Sequence, residues 1–108
     1  MTDDLREQVH AAARRARVAA HELVLATRQS KDAALHEMAS ALRTRAAEVL
    51  EANAKDLEAG RAAGLTQGLL DRLTLTEARI DGVAQGLETV AGLADPIGEV
   101  LRGSILPN

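Results

Sequence analysis

The complete absence of Phe, Tyr and Trp is the feature of this sequence that most restricts its possible folds. Aromatic side chains bury about 150–250 Å² each and dominate most protein cores. In a chain of 108 residues, enough for one small domain, Leu, Val, Ile and Met must therefore supply the packing. Many of the other apolar residues are alanines, which favour helix but add little burial. The composition predicts a mainly α-helical chain with a thin core.

Apolar residues at alternating spacings of three and four predict the first two helices. The first runs from about residue 3 to 27. Its stripe consists of Leu5, Val9, Ala12, Ala16, Ala19, Leu23 and Ala26. The second begins at an N-cap formed by Ser30, continues through Leu57 and stops at Gly60 and Gly64. Its stripe includes Leu35, Met38, Leu42, Ala46 and Val49.

A short helical turn and a third longer helix are predicted in the second half of the chain. Thr66 begins the short turn, and the third helix starts from a cap at Thr74 or Thr76. Its stripe consists of Ile80, Val83, Ala84, Leu87, Val90 and Ala91. Gly92 ends this helix, because Asp95–Pro96 forbids its continuation.

The last residues change character and predict a short strand. Apolar and polar residues partly alternate from residue 100 to 105, and Pro107–Asn108 has the chemistry of a tight turn. A lone strand cannot satisfy its backbone hydrogen bonds. We therefore expect residues 1–108 to form a domain segment that is incomplete at its C-terminus. A frayed natural terminus is the alternative, and the pattern alone does not separate the two.

The charge balance and apolar pattern give no indication of a nucleic-acid or membrane partner. The net charge is −3, and no apolar run approaches the ~20 residues of a membrane span. Charged residues occupy the place where a signal peptide would have its apolar core. The chain has no cysteine, which agrees with a cytoplasmic location. The basic cluster Arg14, Arg15 and Arg17 lacks interleaved aromatic residues, so a solvated helix face is favoured over nucleic-acid binding.

The residues that could carry chemistry do not form a catalytic pattern. His10 and His21 lie roughly 16 Å apart along one helix, and His36 lies on another, so no metal site is predicted. The carboxylates are scattered and include Asp56, Glu58, Asp71 and Glu77. The glycines Gly60, Gly64 and Gly68 do not follow a phosphate-binding order. We predict no catalytic, cofactor-binding or metal-ligating residue in this chain.

Five short strings in the second half of the chain carry a resemblance to a known family. They are Ala52–Leu57, Ala63–Thr66, Leu70–Leu73, Leu75–Ile80 and Leu93–Val100. In this order and spacing they closely resemble the N-terminal region of gamma-glutamyl phosphate reductase, also called glutamate-5-semialdehyde dehydrogenase, of the aldehyde dehydrogenase superfamily. The similarity covers essentially the whole chain and is strongest from residue 49 to 108. Glu77 is a departure, because relatives often carry proline there.

The resemblance implies the N-terminal part of an α/β aldehyde-dehydrogenase-like enzyme of proline biosynthesis. Such an enzyme reduces L-glutamyl 5-phosphate to glutamate 5-semialdehyde with NADPH, through a thioester on a cysteine thiolate. Family members are several times longer, and we expect the whole enzyme to be a homo-oligomer. This chain lacks the cysteine and would be an inactive, structural, helical segment that packs on the cofactor-binding sheet.

Two alternatives come from the residues themselves. A stand-alone helical module could dimerise through the near-heptad run between Leu5 and Ala26. A small nucleic-acid-binding protein could use the three arginines Arg14, Arg15 and Arg17.

Overall fold

The computed structural model describes residues 2–107, and this part of the chain is mainly helical, as predicted. Its helices are α1 (Asp3–Leu25), α2 (Arg28–Thr44), α3 (Ala46–Ala62), α4 (Gln67–Leu73) and α5 (Glu77–Ala91). No helix between residues 2 and 107 is long and apolar enough to cross a membrane. The predicted third helix corresponds to α5, which ends at a C-cap on Gly92.

Threonine hydroxyl groups cap the N-termini of several helices. Thr66 Oγ1 accepts a hydrogen bond from Leu69 N at 3.3 Å, and Thr76 Oγ1 accepts one from Arg79 N at 3.1 Å. Such a bond satisfies a backbone donor that the first helical turn cannot pair internally. Thr66 was predicted as a helix start, and of the two starts predicted for the next helix, Thr74 and Thr76, the structure has Thr76.

The predicted cap at Ser30 is wrong. Thr27 Oγ1 accepts from Ser30 N at 3.1 Å, so Ser30 already lies inside α2. The reason is that α1 ends two residues earlier than expected, with Ala26 in extended conformation. Thr27 is then the first side chain that can cap the next helix.

The predicted long helix from Ser30 to Gly60 is divided into α2 and α3 at Arg45. This residue has φ −108° and ψ 20°, outside the helical region. Its guanidinium binds Glu48, with Nε 2.8 Å from Oε2, and Thr44 Oγ1 donates to the carbonyl of Ser40 at 3.0 Å. The apolar stripe continues across the break, so periodicity did not indicate it.

Gly64 ends α3, as predicted, whereas Gly60 has a different role. Gly64 has φ +81°, and Leu65 N reaches back to the carbonyl of Gly60 at 3.0 Å, in a Schellman-type ending. Gly60 is buried inside α3. A Cβ there would lie 2.9 Å from Leu65 Cδ1 and 3.3 Å from Leu70 Cδ2, so this glycine allows both leucines to pack closely.

The chain divides into two compact units. The first comprises residues 2–31 with 94–107, and the second comprises residues 32–93. In the second unit α3 packs against α4 and α5. Its buried apolar side chains are Ala39, Leu70, Ile80, Ala84 and Ala91. Three of these five are alanines, so the core is as thin as the composition predicted.

The predicted C-terminal strand is not formed. Residues 100–105 have no regular secondary structure, and Leu101 and Ile105 are 95% and 98% exposed. The physical reason is that no strand lies between residues 2 and 107 to accept their backbone hydrogen bonds. The predicted turn at Pro107–Asn108 falls partly outside the described residues.

Candidate interaction surfaces

Asn53 is the one polar side chain in the core of the second unit, within the described part of the chain. Its Nδ2 donates to the carbonyl of Leu73 at 2.9 Å, and its Oδ1 accepts from Leu75 N at 2.9 Å. Both ends of the amide are therefore satisfied by the segment that joins α4 to α5. The side chain fixes that segment against α3.

Arg79 strengthens the same region from α5. Its Nη1 donates to the carbonyl of Asp71 at 2.9 Å and also to the carbonyl of Thr74. Thr74 Oγ1 in turn donates to the carbonyl of Leu70 at 2.7 Å. The bonds from Arg79 satisfy carbonyl groups at and just after the end of α4, and the carbonyl of Leu70 accepts from Thr74 N as well as from Thr74 Oγ1. The start of α5 is thus held by its own Arg79, which binds the end of α4, and by Asn53 of α3.

A second polar cluster links α2 to α5. Arg43 Nε donates to Asp81 Oδ1 at 2.7 Å, and Arg43 Nη1 binds Glu88. Gln85 Nε2 also donates to Asp81, at 2.8 Å. The hydrogen bond from Arg43 is the main cause that lowers the pKa of the Asp81 carboxyl below its ordinary value. The bonds to Asp81 and then Glu88 raise the pKa of Arg43.

The helices held in this way form an open, mostly apolar groove of about 420 Å³. The residues that line it are Met38, Ala41, Leu42, Arg45, Glu48, Val49 and Leu87. Met38 is 51% exposed. Arg45 and Glu48 place one ion pair in the lining, and their hydrogen bond lowers the pKa of Glu48. We call this surface the α2–α3–α5 groove. Its chemistry suits an apolar segment rather than a charged ligand.

The helix α1 presents a second surface, in the first unit. It contains no buried residue along its 23 residues. The apolar residues of its stripe remain open to solvent, with Leu5, Val9 and Leu23 exposed by 48%, 55% and 56%. A helix with a continuous exposed apolar face is typical of a site of association. The sequence predicted this stripe but not whether the chain would cover it.

A pair of opposite charges holds the two chain segments of the first unit together. Lys31 Nζ lies 2.5 Å from Asp95 Oδ2, and their side chains are only 22% and 19% exposed. Asp95 Oδ1 also accepts from Ile97 N at 2.9 Å. The hydrogen bond from Lys31, followed by that from Ile97, lowers the pKa of Asp95. An apolar hollow of about 350 Å³ lies beside the pair, lined in part by Leu23 and Ile97.

The candidate chemical residues from the sequence are not brought together. His10 and His21 are exposed on α1, and His36 is exposed on α2. Among residues 2–107 no three His, Asp or Glu side chains are grouped so that they could hold a metal ion. The carboxylates Asp56, Glu58, Asp71 and Glu77 are exposed on three different helices.

The arginine cluster of α1 is also exposed. Arg14 Nη2 lies 2.5 Å from Glu7 Oε1, one heptad earlier on the same helix. Arg15 and Arg17 are solvent-exposed.

Sequence reasoning missed the polar contacts that organise the second unit. Asp81 and Glu88 are seven residues apart and share a helix face, which was the available signal for a common partner. Nothing comparable indicated Arg43 or Asn53, whose partners are 20 to 45 residues away.

A comparison with models of known protein families finds none that matches this chain.

Proposed function

We propose that this chain is the helical N-terminal segment of a gamma-glutamyl phosphate reductase, and that its own role is structural. The observation that carries the proposal is the set of five strings, which resemble that family in their order and spacing. In this proposal the full enzyme has an aldehyde-dehydrogenase-like α/β fold and acts in the cytoplasm as a homo-oligomer.

The contacts among these strings lend support to the proposal. Asn53 belongs to the string at residues 52–57, and it binds the backbone of Leu73 and Leu75, which belong to two others. Gly64, with its positive φ, lies in the string at residues 63–66. Some of the residues that carry the resemblance therefore also fix a turn or a contact of the second unit. Such residues are constrained by the fold, so a resemblance that includes them favours a shared structure.

The chain would serve the reaction only indirectly. The family's reaction needs a thiolate, which displaces phosphate, and NADPH, which supplies hydride. No cysteine is present, and the glycines do not form a phosphate-binding loop, so the residues here do not fit a cofactor site. We assign them no step. Instead, the α2–α3–α5 groove would receive an apolar part of the remaining polypeptide.

The experiment is to express the coding region that contains these 108 codons together with whatever follows in frame. The reaction is followed in reverse, with glutamate 5-semialdehyde, phosphate and NADP⁺, by the absorbance of NADPH. We expect an in-frame cysteine and activity for the longer polypeptide, and none for the chain of 108 residues. A coding region that yields no activity and no cysteine would contradict the proposal. The matched control replaces that cysteine with serine.

A second candidate function is self-association through α1. The observation that favours it is the exposed apolar stripe of this helix, which has no buried residue. A surface of this kind is stabilised when it is removed from water. Sedimentation equilibrium of the 108-residue chain over a range of concentrations tests it. A reversible monomer–dimer equilibrium is expected, and a monomer at every concentration would exclude it.

A further inference from the structure

The exposed stripe of α1 has a distribution of side-chain sizes and charges that specifies how two copies would pair. We propose that α1 of one chain packs antiparallel against α1 of a second copy, with Ala16 opposite Ala19 of the other chain. This inference rests on the second candidate function, self-association, and adds its orientation and register. It does not depend on the proposed enzyme.

The sizes of the stripe residues favour the antiparallel orientation. In a parallel pair each residue faces its own copy, so Leu23 would face Leu23 while Ala16 would face Ala16. The helices would then be held apart at one layer and leave a gap at the next. In the antiparallel pair Leu23 faces Ala12, and Val9 faces the helix end at Ala26. Within the overlap from Val9 to Ala26, both large stripe residues meet a small one, which keeps the separation of the axes more even.

Small residues also border the stripe on one side. Ala13 and Ala20 lie next to it in the heptad pattern and are exposed. In the proposed register Ala13 of one copy lies beside Ala20 of the other. Two helices can approach closely where only methyl groups separate them. This side of the contact has no charged group to desolvate.

The charges on the opposite border fix the register. Arg15 and Glu22 are one heptad apart and are both exposed. In the proposed register Arg15 of each copy faces Glu22 of the other, so the ion pair occurs twice. A shift by one heptad places Arg15 opposite Arg15 or Glu22 opposite Glu22 instead. Because like charges that face each other disfavour association, these two alternatives are selected against.

The pairing can form on the helix as the structure has it. The overlap extends from Val9 to about Ala26, roughly 27 Å at 1.5 Å per residue. Leu23 keeps 56% of its surface exposed although Ile97 borders the same hollow. Because most stripe residues in the contact between the two α1 helices are alanines, the buried area is small. We therefore expect a dimer that exchanges with monomer.

Cysteine cross-linking of the full 108-residue chain tests orientation and register directly, because the chain has no native cysteine. Ala16→Cys and Ala19→Cys are prepared separately, one of them isotopically labelled, then mixed and oxidised. We expect the disulfide that joins one copy of each variant to exceed both self-linked products. A disulfide requires Cα atoms within about 7 Å, so it reports which residues face each other.

Two cross-linking controls separate the competing arrangements. Dominant self-linking of Ala16→Cys would indicate a parallel pair and overturn the inference, while self-association would stand. Dominant linking of Ala12→Cys to Ala16→Cys would indicate the shifted antiparallel register and also overturn it. A chain that remains monomeric in sedimentation would overturn self-association and the inference together.

Charge reversal gives an independent measurement. Arg15→Glu and Glu22→Arg each replace two attractive contacts with two repulsive ones, so each variant is expected to weaken the dimer about tenfold. The double variant restores opposite charges and should return to within about threefold of the native affinity. Arg17→Glu is the matched control, since it makes the same charge change on α1 outside the seam. Failure of the double variant to recover would contradict the proposed register.

Discussion

The hydrogen bonds of Asn53 allow the stability of the second unit to be tested at a single side chain. Replacement by alanine removes the partners of the Leu73 carbonyl and the Leu75 amide. Leaving a buried polar group unsatisfied costs about 1–3 kcal/mol, and two such groups are involved. Alanine returns up to about 0.7 kcal/mol through its higher helix propensity. Since both hydrogen bonds are only part-buried, we expect a cost at the low end of this range, so that Asn53→Ala lowers the free energy of unfolding by about 2 kcal/mol.

Urea denaturation followed by far-ultraviolet circular dichroism is the suitable assay, because the chain has no tryptophan. A loss of about 2 kcal/mol is a large fraction of the roughly 5–15 kcal/mol that stabilises a small domain. Lys55→Ala, on the exposed face of the same helix, is the control and should change stability by less than about 0.5 kcal/mol. An Asn53→Ala variant as stable as the control would refute the role assigned to the amide.

Asn53→Asp separates the two hydrogen bonds of the amide. It keeps an acceptor for Leu75 N but places a carboxylate oxygen against the carbonyl of Leu73. Only the protonated carboxyl group can donate to that carbonyl, so we expect the folded chain to raise the pKa of the introduced aspartate. The variant should therefore regain stability relative to the native chain as the pH falls through this raised pKa. A constant difference between the two proteins from neutral to acidic pH would contradict this explanation.

Three further outcomes follow from contacts within the second unit. Arg43 lowers the pKa of Asp81 below its ordinary value of 3.8. The stabilisation of the folded chain by this ion pair is therefore present above about pH 4 and is lost as the pH falls through the pKa that Asp81 has in the folded chain. Arg43→Gln should thus lose less stability than the native chain between about pH 5 and 3, measured by urea denaturation, and an identical pH dependence would rule this out. Gly64→Ala places a Cβ at φ +81° and should cost about 1–2 kcal/mol in the same measurement, whereas Gly86→Ala should not destabilise the chain. Met38→Glu should leave the thermal midpoint of the 108-residue chain within a few degrees of the native value, because Met38 is half exposed. If the longer polypeptide covers the α2–α3–α5 groove, the same substitution buries a charge there and should sharply reduce the soluble yield of that polypeptide. An unchanged yield would show that the groove stays open.

The helices and their faces were predictable because they depend on nearby residues. The stripe from Leu5 to Leu23 and the caps at Thr66 and Thr76 are set within one or two turns of the chain. The break at Arg45 was not predictable, since the apolar period continues through it. The strand expected at residues 100–105 failed for a related reason. Alternating apolar and polar residues indicate that a segment can form a strand, but a strand also needs a partner strand, and none lies between residues 2 and 107.

The two candidate surfaces also differ in whether the sequence alone could predict them. The stripe of α1 was visible in the sequence because one helix carries it whole. The α2–α3–α5 groove combines residues such as Met38 and Leu87, which meet only after three helices have packed. The contact of Arg43 with Asp81 and Glu88 likewise depends on two helices. Side-chain type alone did not indicate these pairings.

The amide of Asn53 spans the backbone from the carbonyl of residue 73 to the amide of residue 75. This one side chain therefore fixes the distance between the end of α4 and the residues just before α5. Substitutions at Thr74 can leave that distance unchanged, but an added or deleted residue cannot. The connection between these helices is therefore constrained in length more strictly than in sequence.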